Sequence, residues 1–371
     1  MQTRLPSIIR VLGVLILLFL FLNSVNLMGV AFKLLGKQWV EIIITTTNNP
    51  IVALLVGVLA TTVVQSSSVT TSMVVGLVSA GAMTIDNAVP VIMGANIGTT
   101  VTNTVVSLGH ISRKDEFRRA FAGATVHDFL NIIAVIIFLP LELATGFLQK
   151  SAAYLACYFY GTETVAYKSP IKEALKPISK ALEGFLVKDF GFSHQVSGIV
   201  ILILALILIF ICLFLIVRIM RSLMLSKIER TMQKFLEMSG VMTITIGALL
   251  TVLVQSSSIT TSLFVPLVGA GLISVANVFP LTLGANIGTT VTAMLAALAG
   301  NQAGLVIAFV HLLFNLFGTL MIYPFKPIRL IPVRLAQGVA GKVVNHRKLA
   351  VFYILIIFYI IPLTVILIDR L

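Results

Sequence analysis

The sequence predicts an all-α integral membrane protein of two inverted-topology repeats, each with a re-entrant helical hairpin and a broken transmembrane helix. Three observations predict it. The 371 residues are 58% hydrophobic and 11% charged, against about 45–50% and about 25% in a soluble domain. The apolar stretches are continuous rather than alternating, which argues against a β-barrel and leaves a helical bundle. One long stretch also occurs twice: Gln65, Asn87, Pro90 and Asn96 recur 190 positions later as Gln255, Asn277, Pro280 and Asn286.

Plain spans lie at 8–30, 120–140, 196–217, 304–323 and 349–368, each near the roughly 20 residues that cross a bilayer core. The first has the basic flank and apolar centre of a signal peptide. It is long and lacks a small-x-small cleavage site, so it reads as a first helix. The segment 141–160 is a candidate extra amphipathic helix.

Between the plain spans lie the two copies, 49–108 and 239–299, where Gly, Pro, Ser, Thr and Asn repeatedly break the apolar pattern. The first interruption is VQSSSVTTS (64–72) and VQSSSITTS (254–262). Its flanking arms are too short to span a bilayer alone. They predict hairpins over about 49–80 and 239–270. The second interruption is GANIGTT, 94–100 and 284–290, inside spans at about 88–108 and 278–299. Its glycines, Asn and Thr predict local unwinding, which membrane depth tolerates only beside protein or a wet cavity. The predicted organisation is a first repeat at 1–160, an extracytoplasmic linker at 161–195 and a second repeat at 196–371.

The formal charge of +13 does not imply nucleic acid, because no basic stripe is interleaved with aromatics. The basic residues lie between apolar runs, where they orient the chain. HISRKDEFRR (110–119) follows the first copy, whereas the uncharged GNQAG (300–304) follows the second. Equivalent loops therefore face opposite sides, and the copies are inverted. Arg4, Arg10, Arg218, Arg221, Lys227, Arg230, Lys234, Lys326, Arg329, Arg334, Lys342, Arg347 and Lys348 fall on the inner side. The linker and the C-terminus fall outside, and the N-terminus inside. Cys157 and Cys212 are too unlike in setting to predict a disulfide. Trp39, with Lys33 and Lys37, reads as an interfacial anchor.

A hairpin tip exposes helix ends. The N-terminus of the second arm offers free N–H groups and partial positive charge, so it binds an anion without Lys or Arg. Ser66, Ser67 and Ser68, with Ser256, Ser257 and Ser258, add hydroxyls there and are the candidate phosphate ligands. Amide and hydroxyl oxygens beside the tips suit a small hard cation. Asn96 and Thr99, flanking Gly98, stand out. Small residues also serve ordinary helix contacts in membranes. Duplication in opposite topology favours a coupled transport site.

VHDFLN places His127 and Asn131 on one helix face with Asp128 beside them, and VHLLFN repeats this as His311, Leu312 and Asn315. The histidines read as structural hydrogen-bonding groups. An ionisable group inside a span is a functional candidate. Asp128 occurs in one copy only and would supply an extra cation site in that half, the competing role being a buried partner for His127, Arg118 or Arg119.

The paired QSSS runs, GANIGTTVTNT, and FRRAFAGATVHD at 117–128 resemble the type II sodium–phosphate cotransporters, over about 45–362. The resemblance implies symport of divalent inorganic phosphate with sodium as the coupling ion, with no other cofactor and no transition metal. Gln255, Ser256, Thr289 and Thr292 match family positions assigned to sodium. With Gln65, Asn96, Thr99, Thr102, Asn286 and Asp128 they form the candidate sodium set. Asp128 matches the acidic residue of electrogenic members, which implies net inward movement of positive charge. The short linker without an Asn sequon and the lack of a further segment past Leu371 depart from animal members. They imply a multi-pass protein of a bacterial inner membrane, lying in the lipid bilayer. The helices 8–30 and 196–217 form the expected scaffold and homodimer surface. A sodium-coupled carboxylate or other oxyanion carrier is the alternative. An intramembrane serine hydrolase using Ser67 or Ser257 is more remote, because no G-x-S-x-G elbow exists.

Overall fold

The computed structural model describes residues 7–160, 170–232 and 239–369. Arg4, residues 161–169 of the linker, and Lys234 lie outside the described residues. The described residues are helical and contain no strand. The first half comprises α1 (Ser7–Leu35), α2 (Lys37–Thr46), α3 (Pro50–Val64), α4 (Ser67–Ser79), α5 (Ile85–Thr99), α6 (Val101–Ser107), α7 (Lys114–Thr145) and α8 (Phe147–Tyr160). Helix α9 (Pro170–Gly184) leads to α10 (His194–Met232), α11 (Gly240–Val254), α12 (Ser257–Ser262), α13 (Val265–Gly269), α14 (Val275–Leu298), α15 (Gln302–Ile322) and α16 (Lys326–Val343). The chain closes with α17 (Lys348–Leu355), a π-helical turn (Ile356–Ile360) and α18 (Ile361–Ile368).

Among the described residues, seven helical stretches are long and apolar enough to cross a membrane. Helices α3, α4 and α11 are not: the 15 residues of α3 and α11 reach only about 22 Å against a core of about 30 Å, and α4 has 13. The chain is an all-α integral membrane protein. Helix α7 runs past the span expected at 120–140 and continues through Pro140 to Thr145. Proline is tolerated there because neighbouring groups re-satisfy the freed backbone. The segment 141–160 is thus divided between α7 and α8, with Gly146 left-handed (φ 64°) at the turn. Glu142 caps α8, accepting from Leu148 N at 2.6 Å and Gln149 N at 3.2 Å. The basic stretch after Pro324 is also more than a loop, because α16 packs along α7.

The two copies build the same hairpin from the same words. Gln65 (φ 55°) and Gln255 (φ 58°) are the non-glycine residues with positive φ among the described residues. Each ends a first arm in the left-handed conformation that closes many helices. The next serine is extended and caps the second arm: Ser66 Oγ accepts from Val69 N, and Ser256 Oγ from Ile259 N, both at 3.3 Å. Thr84 and Ser274 cap α5 and α14 in the same way, on Asn87 N and Asn277 N.

The first arms lie against the helices of the second interruption, α3 on α5 and α11 on α14. Here the structure corrects the expected unwinding. Gly94–Thr99 is helical, and α14 runs unbroken through 284–290. A Cβ on Gly94 would stand 1.9 Å from the Leu54 carbonyl oxygen, and one on Gly284 would stand 2.0 Å from that of Ile244. The glycines admit a neighbouring backbone, as small residues do at membrane helix contacts. Asn96 Nδ2 and Thr99 Oγ1 bond back onto the carbonyls of Ile92 and Ala95, so the polar residues also satisfy themselves within the helix. One interruption does occur, at Thr100 in the first copy only, between α5 and α6.

Helix α1 lies along α10. Ile201, Ala205, Ile209 and Cys212 bury one stripe of α10, while Ile203, Ile207, Phe210 and Phe214 stay exposed on the others. That pattern is a lipid-facing helix with one protein-facing stripe. Helix α4 packs on α15, and α13 packs on α7, so each hairpin's second arm lies against the long helix of the opposite half.

Candidate functional site

The hairpin tips meet. Ser68 Oγ of the first donates to the Gln255 carbonyl of the second at 3.5 Å. Ser258 Oγ of the second donates to the Thr99 carbonyl at 3.3 Å. The break at Thr100 makes that carbonyl available, because Asn103 N, its ordinary helical partner, bonds Thr100 O instead (3.0 Å). Ser67, Ser68, Ser257 and Ser258 are all buried. Ser66 and Ser256 use their oxygens as caps for the third N–H group of each arm. The N–H groups of the two serines that follow are helix-start donors without an intrahelical partner. Ser68 and Ser258, each at such a helix start, both reach into the opposite half.

A buried polar chain runs beside the tips. Thr261 Oγ1 lies 2.9 Å from Asn103 Oδ1, and Asn103 Nδ2 lies 3.4 Å from His127 Nδ1. His127 Nε2 donates to Asn286 Oδ1 at 2.6 Å. Asn286 Nδ2 donates to Asn131 Oδ1, and Asn131 Nδ2 to the Asn96 carbonyl, each at 2.7 Å. Asn286 only accepts at Oδ1, so His127 carries its proton on Nε2 and accepts on Nδ1. The histidine is thereby a neutral connector between the halves. Its repeat mate differs: both nitrogens of His311 are buried without a partner.

In the second copy the tip closes onto α14. Thr292 Oγ1 donates to Gln255 Oε1 at 2.9 Å, and Thr289 Oγ1 to Ser257 Oγ at 3.3 Å. The first copy lacks these contacts: Gln65 is exposed, and Thr102 Oγ1 is buried without a partner. Asp128 is fully buried. Its Oδ2 accepts from Tyr353 OH at 2.7 Å and from Thr104 Oγ1 at 3.5 Å, while Oδ1 has no partner. Neither His127 nor an arginine pairs with it, and Arg119 Nε instead donates to the Gly269 carbonyl. An uncompensated buried carboxylate oxygen is costly.

A family model described as Na+/Pi-cotransporter matches residues 20–166 and 206–329. The chain belongs to this family. Sodium-dependent phosphate transport protein 2B of Homo sapiens is 33% identical over 383 residues, covering 80% of this chain and 55% of the relative. Protein 2A of Rattus norvegicus is 33% identical over 361 residues, with 79% and 56% covered. Protein 2A of Ovis aries is 34% identical over 363 residues, with 79% and 57% covered. The chain spans about half the length of the curated relatives it matches. No solved structure matches it.

Within this cotransporter family member, the structure pairs Gln255 with Thr292 and Ser257 with Thr289, uses Ser256 as a helix cap, and draws Asn286 into the His127 chain. It leaves Gln65, Thr99 and Thr102 without equivalent contacts, and Asn96 takes part through its backbone carbonyl. Asn103 and Tyr353 escaped sequence reasoning. The available signal for Asn103 was its departure from the repeat, because Ala293 stands at its mate. Nothing in the sequence ties Tyr353 to Asp128, 225 residues away. The hydrolase alternative, with His127 or His311 as base, lacks a serine–histidine pair: both ring nitrogens of His127 face asparagines, and neither nitrogen of His311 has a hydrogen-bond partner.

Proposed function

We propose that the chain is a sodium-coupled symporter of inorganic phosphate, with its site at the junction of the two serine tips. The supporting observation is the direct contact between tips, Ser68 Oγ to the Gln255 carbonyl. It brings the start of one second arm against the turn of the other tip. Phosphate, with several acceptor oxygens, suits paired N–H groups and hydroxyls that carry no net charge. Such a site releases its anion more readily than one built on Lys or Arg, and a carrier must release what it binds.

Sodium completes the site electrostatically. Gln255 Oε1, Thr292 Oγ1, Thr289 Oγ1 and Ser257 Oγ form a cluster of hard oxygens immediately behind one tip. The carboxylate of Asp128 provides a second, charged position in the first half only. A cation bound there joins those beside the tip, and net positive charge moves inward once the sodium carried per cycle outweighs the charge of the divalent phosphate. The contrast between the basic loop after α6 and the uncharged loop after α14 supports inverted copies with the N-terminus inside. The contrast between a closed second copy and an open first copy fits a carrier whose halves take turns in closing.

The test is radiolabelled phosphate uptake in proteoliposomes with and without an inward sodium gradient, challenged by excess succinate or citrate. Accumulation that requires the gradient and ignores the carboxylates is expected. Uptake blocked by succinate would move the substrate to carboxylates. Equilibration without accumulation would make the protein a channel.

A further inference from the structure

We propose that Tyr353 is a positioning residue for the Asp128 cation site: its hydroxyl holds one carboxylate oxygen so that the other faces the ion. This rests on the assignment of Asp128 as a sodium ligand given above. The two oxygens of Asp128 are treated differently by the fold. Oδ2 has the Tyr353 hydroxyl at 2.7 Å, whereas Oδ1 is buried with no protein partner.

The chemistry of the donor matters. A lysine or arginine at this point would neutralise the carboxylate and expel a cation. A phenol has one hydrogen and no charge, so it fixes one oxygen and leaves the full negative charge for the ion. Among the described residues, Asp128 forms no ion pair. Thr104, one turn along α6 from the break at Thr100, adds a weaker donor at 3.5 Å.

The hydroxyl is held from several sides. The Tyr353 ring meets Phe121 edge-on at 5.8 Å, and Phe121 lies two turns before Asp128 on the same helix, α7. Phe358 closes the other side at 6.4 Å, within the π-helical turn that follows α17. Such turns often mark functional positions. Further along, α18 packs on α3, and Asn49 Nδ2 donates to Asp369 Oδ1 at 2.7 Å. The helix that carries the phenol is therefore anchored to the first hairpin as well as to α7.

Tyr353→Phe tests this. It keeps the ring contacts to Phe121 and Phe358 and removes only the donor. In proteoliposomes, the sodium concentration for half-maximal uptake should rise on the order of tenfold, as for loss of a hydrogen bond to a charged group. Apparent affinity for phosphate at saturating sodium should stay unchanged. For purified protein without phosphate, the sodium needed for thermal stabilisation should rise by the same factor. A merely structural role would instead lower the amount of folded protein and maximal uptake, without this split. Wild-type sodium dependence of Tyr353→Phe in both measurements overturns the proposal. Asp128→Asn, measured in parallel, separates the two levels. If it too keeps wild-type sodium dependence, the assignment of Asp128 fails and the role of Tyr353 with it. If it loses sodium dependence while Tyr353→Phe does not, the role of Tyr353 alone fails.

Discussion

Replacing Gly94 with alanine distinguishes a packed helix from an unwound cation site. In the structure, the added Cβ would lie 1.9 Å from the Leu54 carbonyl oxygen, 2.8 Å from its carbon and 3.0 Å from Val58 N. All three are backbone atoms of α3, so no side chain can rotate away. Ordinary contact begins near 3.4 Å; α3 would have to retreat by about 1 Å or more, and overpacking of this kind costs about 1–3 kcal/mol. Against that, alanine is favoured over glycine in a helix interior by about 1 kcal/mol. Because the clash is with backbone, the cost should sit at the top of its range, for a net destabilisation of about 1–2 kcal/mol. The assay is thermal unfolding in detergent, with Gly338→Ala in α16 as the control. A Cβ on that glycine would meet no heavy atom within 4 Å, so alanine there should be neutral or stabilising by up to about 1 kcal/mol. Gly94→Ala should melt several degrees lower and take up phosphate more slowly. If it melts at or above wild type, the α3–α5 backbone contact is not as close as described, and the glycines serve some other purpose.

The remaining predictions concern the tips and the ions. Gln65→Gly relieves a left-handed residue and should stabilise the fold by about 1 kcal/mol; unfolding temperature is the readout, and no gain would argue against the left-handed turn. Gln255→Gly offers the same relief but removes the acceptor for Thr292 Oγ1, so its gain should be smaller and its sodium requirement higher. Ser67→Ala and Ser257→Ala should each weaken apparent phosphate affinity about tenfold; unchanged affinity in uptake assays would remove the tips from the anion site. Asp128→Gly should abolish the transport current while sparing some neutral uptake, and wild-type charge per phosphate would refute that role. Thr289→Ala should raise the sodium concentration needed for uptake, with little change in maximal rate.

Much of this protein could be read from its residues. Continuous apolar runs require helices in a membrane, because no other open structure satisfies its own backbone there. The QSSS and GANIGTT words carried the family. The repeat of Gln-Ser at a fixed offset anticipated one turn used twice, and both glutamines are left-handed. What the residues left undecided were matters of neighbourhood. Glycine in GANIGTT permits either unwinding or close approach, and only the backbone of α3 at 1.9 Å from a Gly94 Cβ selects the second. The break at Thr100 in one copy alone, with the same GANIGTT in both, likewise reflects what surrounds each helix: Ser258 takes the carbonyl that the break releases. Asp128 was recognisable as a buried charge, but its partner Tyr353 comes from a helix beyond both copies. Hydropathy and repetition act along the chain and can be read there. Contacts between residues 225 apart depend on how helices pack, and packing exists only once the chain has folded.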